Sequence, residues 1–544
     1  MRHTNNKHLF WILFVFSALL LIVYNLWGVL ESSEARYAEI GREMLESGDF
    51  LHPRLLGILH FHKPPVSYIL SSLSQGIFGI NSIGARFFLV VAFTIQIILV
   101  YKISRILFGA YTKALTAAII YSSFPLVLIS VLNLTTDAFL NTFELIAIYY
   151  IIKYFKNKAP GALIWFYFFL SLAFLTKGPV GLIIPFLLFA GCRMIYGKVM
   201  IKSKVHHMTG LATFLILSLS WYIYLIIENP EMLDYFLFNH TIERITNASS
   251  FERSEPWYYY IVFFLLLFIP WSLMFIKKIF EKGIWKKLSS WRYLIIFWII
   301  IPLILFSLIN SKLVLYILPI SPGLAILCSW FVDELKPHEL KAWTKIHLCI
   351  YLIITSGILL LTLTVMDIQL SALMIILPIS MILCFIWTNF SRNSFKIHKI
   401  LIYSLIFSFG LILYSSIFLK NNELMANGTK PLKNFLEKNE LTDHQIIVYD
   451  RRLPSLSYNL NKEIISVHDG GRSLNRETGF EKDNKWKENL IELRNTNKDS
   501  LLVQLLKKES VLFSKNESPD KISWISTKFN AKEKIGDWLI FYNK

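Results

Sequence analysis

Apolar runs of helical length follow one another through the first 420 residues, and polar positions gather in the joints between them. About thirteen such runs predict membrane-spanning helices. They lie near 8–29, 84–104, 112–131, 137–155, 161–176, 179–196, 209–227, 257–276, 293–309, 314–332, 346–365, 371–389 and 399–419. Past residue 420 the pattern changes. Residues 421–544 are rich in Lys, Asn, Glu and Ser, and short strand-like runs such as IIVYD (446–450) and WLIFY (538–542) predict one small α/β domain. The predicted fold is a polytopic α-helical membrane domain, 1–420, followed by a soluble domain, 421–544.

Composition agrees: 55% of the 544 residues are hydrophobic and 15% aromatic, which excludes an ordinary soluble chain. The net charge of +18 would suit a nucleic-acid partner, but its distribution argues against one. With Arg2 and Lys7 placed inside, the alternate loops on that side carry Lys102, Arg105 and Lys113, then Lys153, Lys156 and Lys158, then Lys277, Lys278, Lys282, Lys286 and Lys287. That is the positive-inside pattern. It puts the N-terminus in the cytoplasm and, with an odd number of spans, the C-terminal domain outside. The first run also resembles a signal peptide, but it lacks a small-x-small cleavage site and reads as an uncleaved helix. Cys192, Cys328, Cys349 and Cys384 all fall in or beside spans, so no disulfide framework is expected.

Against this background the first polar stretch stands out: ESSEARYAEIGREMLESGDFLHPRLLGILHFHKPP, residues 31–65, within an outside loop of 30–83. Its first part predicts a surface helix. Ser32 or Ser33 caps it, Glu34 lies in the first turn where the helix dipole favours negative charge, and Gly48 stops it. Tyr37, Ile40, Met44 and Leu45 recur at helical spacing and predict a face lying on the membrane. His62-Lys63-Pro64-Pro65 predicts an extended segment, because each proline disfavours helix in the residue before it.

Ionisable residues at outer span ends break the positive-inside trend. Asp137, in LTTDAFL, is either a first-turn acid in a helix capped by Thr135 or Thr136, or a functional carboxylate. Lys177, in LTKGP, and Lys312, in NSKLVLY, stand in tight outer turns, where a lysine either snorkels to the interface or meets an anion. A second long outer loop, 228–256, holds His240, Glu243, Arg244, Glu252 and Arg253 and runs into the aromatic belt Trp257-Tyr258-Tyr259-Tyr260. Few charges stand clearly in mid-span. Arg and Lys clamp phosphate oxygens, and a carboxylate can deprotonate a hydroxyl or steady an oxocarbenium-like centre. The chain has no Walker-type or dinucleotide-binding loop. Together these point to a donor taken from the membrane as a lipid-linked phosphate.

At these residues the chain resembles the 4-amino-4-deoxy-L-arabinose lipid A transferases and the wider protein-mannosyltransferase-like group of integral-membrane GT-C glycosyltransferases. ESSEARYAEIGREMLESGDF, HFHKPP, the LTTDAF aspartate, LTKGP, the NHTIER…RSEPWYYY loop and SKLVLYILP follow the family pattern in order over about the first 330 residues. The resemblance implies an inverting transferase in the bacterial inner membrane that moves a sugar from an undecaprenyl (polyprenyl) phosphate to a periplasmic acceptor, lipid A or a related glycolipid. It implies catalytic roles for Glu34, Asp137 and Lys63, donor-phosphate binding by Lys63, Lys177, Arg253 and Lys312, and acceptor contact or gating by Arg36, Tyr37 and Arg42. It also implies a divalent metal ion at His62 and His240. Two departures stand out: Ser33 replaces the first acid of the family's pair, and His62 replaces a glutamate before Lys-Pro. Two other readings stay open: a protein O-mannosyltransferase-like activity on Ser or Thr, and, from another class, a lipid-linked glycan transporter.

Overall fold

The structure, a computed structural model, describes residues 2–197, 203–237, 255–391, 398–469, 478–493, 500–506, 509–515 and 526–543. Among them, eight helices are long and apolar enough to cross a membrane, or up to ten if each of two bent pairs is one span. The chain is a polytopic helical membrane protein, and shorter apolar helices at Lys7–Val23 and Tyr293–Leu308 match two more of the expected runs. In chain order its first ten helices are α1 Arg2–Val23, α2 Ser33–Ser47, α3 Val66–Phe78, α4 Ser82–Phe108, α5 Tyr111–Ser122, α6 Pro125–Leu132, α7 Thr136–Asn157, α8 Ala162–Lys177, α9 Ile183–Tyr196 and α10 Lys204–Glu228.

The differences from the expected spans have local causes. The run 112–131 is two helices, α5 and α6, bent by 61°. Pro125 opens α6, and Phe124 before it is extended, as a residue preceding proline prefers. The run 257–276 is Tyr259–Leu267 and Trp271–Ile279, bent by 115°. Pro270 stands between them and cannot continue the hydrogen-bond ladder. The runs 161–176 and 179–196 are the two helices α8 and α9, which fold back on each other so that the rings of Phe166 and Phe189 lie 6.1 Å apart. The turn starts at Gly178, whose φ of 76° and ψ of −153° are non-helical and open to glycine at little cost.

The described chain divides into two compact units. One holds Met1–Val23, His62–Val66 and Leu89–Ile417, which includes α5 to α10 and the later spans. The other holds Tyr24–Phe61, Ser67–Phe88 and Phe418–Lys544. The boundary therefore differs from a division at residue 420: most of the first polar loop belongs with the C-terminal domain.

That second unit is built on a mixed six-stranded sheet. Its strands are β3 Gln445–Tyr449, β4 Ile465–His468, β5 Leu490–Glu492, β6 Ser510–Lys515, β7 Ala531–Ile535 and β8 Trp538–Tyr542, after a small hairpin of β1 Arg54–Leu55 and β2 Ile58–Leu59. The order is β5-β4-β3-β6-β8-β7. The first four are mutually parallel, and β8 runs antiparallel to both β6 and β7. IIVYD and WLIFY are thus strands, as their pattern predicts. Alternation sorts their side chains: Ile446, Val448, Val511, Phe513 and Ile540 enter one core, while Ile447, Tyr449, Leu512 and Phe541 enter the other.

The apolar face of α2 meets the first of these cores. Ile40 and Met44 are buried with Leu432, Leu436, Leu456 and Tyr542, and Tyr37 packs against the same cluster. This corrects the expectation that the face lies on the membrane: protein covers it. Ser32 precedes α2 without a side-chain cap, whereas Gly48 ends it in the left-handed region and its N–H reaches Met44 O at 3.0 Å.

Candidate functional site

The charges of α2 and its loop are largely engaged within their own unit. Glu34 is buried and forms a two-pronged ion pair with Arg86 of α4: Nε to Oε1 and Nη2 to Oε2, both 2.8 Å. Glu34 Oε2 also accepts the Leu30 N–H at 2.9 Å. The Arg86 guanidinium further donates to the carbonyls of Tyr24, Trp27 and Gly28 at 3.0, 3.2 and 2.6 Å, and it lies 4.6 Å from the Trp27 ring centre. Arg42 pairs with Glu39 at 2.6 Å and Glu46 at 2.5 Å, and Glu39 also accepts the Ser457 hydroxyl at 2.7 Å. The Glu43 carboxylate accepts the N–H groups of Leu56 and Gly57 at 2.5 and 3.0 Å. Arg36 and Tyr37 are half-buried.

Two of these carboxyls hold protons unusually well. Burial pushes Glu31 up to about 7, against the Ser455 N–H that it accepts at 2.7 Å. Burial, with Glu39 nearby, pushes Glu43 up to about 8. An unfolded glutamate ionises near ~4.3. The stabilising contribution of each is therefore complete below that value and lost as pH rises through about 7 and about 8. The thermal midpoint of the protein is expected to fall between pH 5 and 8.5, with Glu31→Gln flattening part of the slope. A midpoint that rises over this range would contradict the assignment.

In the membrane unit, the structure joins two of the predicted residues. Thr135 caps α7: its hydroxyl accepts the Asp137 N–H at 3.3 Å, which decides between Thr135 and Thr136. Asp137 Oδ1 meets Lys177 Nζ at 2.5 Å, with both side chains nearly buried at 11% and 7% exposed. Lys177 is the last residue of α8 before the Gly178 break, so the turn delivers its ammonium to the start of α7. The ammonium lies 4.3 Å from the ring centre of Tyr316, in a 3-10 segment, Val314–Ile320, that follows Lys312. Lys312 is buried, and its ammonium donates to Glu255 O at 2.7 Å. The neighbouring Tyr260 hydroxyl donates to Leu313 O at 3.0 Å. Below the pair, a polar ladder fixes α7: Asn141 donates to the Tyr121 hydroxyl, which donates to Gln96, which in turn holds Thr142 and the Ala138 carbonyl.

His62 and Lys63 sit half-buried in a bend just before α3, not in an extended segment. His240 and Arg253 lie outside the described residues. Among the described residues, no three His, Cys, Asp or Glu side chains gather as a metal set.

Two residues were missed in the sequence. Arg86 gave no local signal, since its partner is 52 positions away. Glu144 did: it is a lone carboxylate inside the apolar run of α7, a standing sign of function. It is buried, and its Oε2 has no hydrogen-bond partner among the described residues. Seven positions after Asp137, it shares that helix face and is electrostatically coupled to both Asp137 and Lys177.

Comparison with known proteins places this arrangement. Residues 62–224, which include Lys63, Asp137, Glu144 and Lys177, match the family described as dolichyl-phosphate-mannose-protein mannosyltransferase. The chain is similar to the undecaprenyl phosphate-alpha-4-amino-4-deoxy-L-arabinose arabinosyl transferases of Aeromonas hydrophila, 31% identical over 321 residues, and Photorhabdus laumondii, 28% identical over 316 residues. In each case the similarity covers 57% of this chain and 57% of the relative, so it spans little more than half the length of either. In structure the chain resembles ArnT from Cupriavidus metallidurans in its undecaprenyl-phosphate-bound form, with TM-score 0.78, 18% identity, and coverage of 98% of this chain and 97% of that one. The apo form of that protein gives 0.79 at 18% identity, over 100% and 99%. The chain is thus ArnT-like: it has the fold of ArnT from Cupriavidus metallidurans along its length and resembles the arabinosyl transferases in sequence over 57% of it.

Proposed function

We propose that this protein is a membrane glycosyltransferase that takes a sugar from a polyprenyl-phosphate donor and passes it, with inversion, to a periplasmic acceptor, most simply lipid A or a related glycolipid. The observation that carries the reading is the buried Asp137–Lys177 pair, set at a span end in a fold shared with a protein that binds undecaprenyl phosphate. In this reading the protein lies in the bacterial inner membrane with thirteen crossings, its N-terminus cytoplasmic and its C-terminal domain periplasmic.

Without donor, Asp137 neutralises Lys177. An arriving phosphate competes for the ammonium, and Lys63, Lys312 and Arg253 complete the charge around it. Lys177 then stabilises the phosphate as leaving group while the sugar C1–O bond breaks. Its departure from Asp137 frees the carboxylate. Where the acceptor is a hydroxyl, Asp137 takes its proton as the oxygen attacks C1 from the opposite face. Where the acceptor is a phosphate oxygen, no base is needed. Glu34 is assigned a positioning role, because Arg86 holds both its oxygens. Arg36 and Tyr37 keep the proposed acceptor contact. The engaged Arg42 is assigned to holding α2.

The test is mass spectrometry of lipid A and surface glycans from cells with and without the protein. A sugar mass lost from lipid A on deletion supports the full reading. Loss from a glycoprotein alone would favour transfer to Ser or Thr, in line with the protein acceptor named in the family matched over 62–224. Unchanged glycans, with lipid-linked sugar crossing the membrane only when the protein is present, would replace the transferase with a transporter.

A further inference from the structure

The second unit contains a cavity of about 230 Å³ that the proposed transfer chemistry does not use. It opens beside Glu31 and Ser32 and is lined by Arg451, Arg452, Lys515 and Trp538. Its place in the sheet follows from topology. From β3 the chain moves to β4 and β5 on one side, then returns to β6 on the other. The boundary between β3 and β6 is therefore a switch point. In open α/β sheets, ligands settle in the crevice at the carboxyl ends of such strands. Arg451 and Arg452 follow the carboxyl end of β3, and Lys515 is the last residue of β6. The same geometry accounts for Asp450-Arg451-Arg452, a charged run after a strand that a solvated turn alone would leave without purpose.

The lining is polar and positively charged. Lys515 Nζ donates to Asn427 Oδ1 at 3.1 Å and lies 5.8 Å from the centre of the Trp538 ring. Arg452 is held in place by donating to Leu55 O, while Arg451 is exposed. Glu31 is the opposing charge. Its Oε1 accepts the Ser455 N–H, and burial raises it to about 7, with Arg36 acting to lower it and Glu39 to raise it. Below neutral pH the cleft therefore carries its cations with little opposing charge. Its volume suits a phosphate with one attached sugar ring, below the ~300 Å³ at which drug-sized pockets begin.

We propose that this cleft binds a phosphate-bearing sugar, the head group of the acceptor. Calling the ligand the acceptor rests on the transferase reading; the binding itself does not. The test uses the full chain in neutral-lipid nanodiscs and measures binding of N-acetylglucosamine 1-phosphate, of N-acetylglucosamine, and of lipid A incorporated in the disc. The phosphorylated sugar is expected to bind and the plain sugar not. Arg451→Ala with Lys515→Ala should weaken binding by at least ~10-fold, as loss of charge-assisted hydrogen bonds does, and Lys515→Arg should largely preserve it. Glu31→Gln should bind more tightly than the wild type at pH 8 and equally at pH 6. Binding of lipid A alone, with the same sensitivity to the variants, supports the site and identifies the lipid as its source. Equal binding of the plain sugar, no binding of either phosphorylated probe, or indifference to the double variant overturns it. Undecaprenyl phosphate binding, measured on the same variants, should not change. If no transfer activity is found while the cleft behaves as described, the transferase reading fails and the site stands.

Discussion

With a hydroxyl acceptor, Asp137→Asn is expected to lower the rate of sugar transfer about 10³-fold, within the ~10²–10⁴ range ascribed to a positioned acid or base, while donor binding changes little. Asparagine keeps the shape of the side chain and can still accept from Lys177, but it can no longer take a proton. Lys177→Met should cost a similar factor by another route. It removes a cation from the leaving phosphate and leaves the Asp137 carboxylate nearly buried without its 2.5 Å partner. It should therefore also weaken donor binding, so kcat and KM separate the two variants. The double variant should be far less impaired than the product of the singles, because the two groups act as a unit. Additive losses would mean that the pair only holds α7 and α8 together.

Arg86→Ala is expected to destabilise the protein by about 3–5 kcal/mol, the usual cost of stranding one member of a buried ion pair. The guanidinium is fully buried, and its N–H groups reach Glu34 and three main-chain carbonyls. Alanine removes all of these donors at once, although Glu34 keeps the Leu30 N–H and Trp27 O keeps the Ser82 hydroxyl. Arg86→Lys should recover only part of the loss, since one ammonium cannot reproduce the fork. Adding Glu34→Gln to Arg86→Ala should restore stability relative to Arg86→Ala alone, because it removes the stranded charge. Thermal unfolding of the purified protein reads each step. If Glu34→Gln alone abolishes transfer without lowering stability, Glu34 is a catalytic group and the positioning role fails.

Much of this architecture is legible in the chain because it depends on local pattern. Long apolar runs mark spans, short ones mark β3 and β8, and Gly48 and Thr135 mark helix ends. The failures also have local explanations. Pro125 and Pro270 sit inside runs read as single crossings, and each breaks one. The spacing of Glu39, Arg42 and Glu46 is that of helix-surface ion pairs, a sign that Arg42 is engaged within its own helix. The face of Ile40 and Met44 is different in kind. Helical periodicity says that something apolar covers it, and the cover turns out to be a domain that begins almost 400 residues later in the chain. The catalytic role of Glu34 came with the family resemblance, and nothing in its polar loop marks the arginine 52 positions away. Of the predicted site, Asp137 and Lys177 meet across a 40-residue separation, a closeness that their two short motifs implied only through the outer span ends expected for both.

The most direct measurement is transfer of a labelled sugar from undecaprenyl phosphate by the purified protein in proteoliposomes, with lipid A as acceptor and Lys177→Met as control. The account predicts label in the acceptor and free undecaprenyl phosphate in equal amounts with the wild-type protein, and neither above background with the variant. A wild-type protein that binds the donor but leaves its sugar–phosphate bond intact with every acceptor offered, or a variant that transfers as well as the wild type, would contradict it.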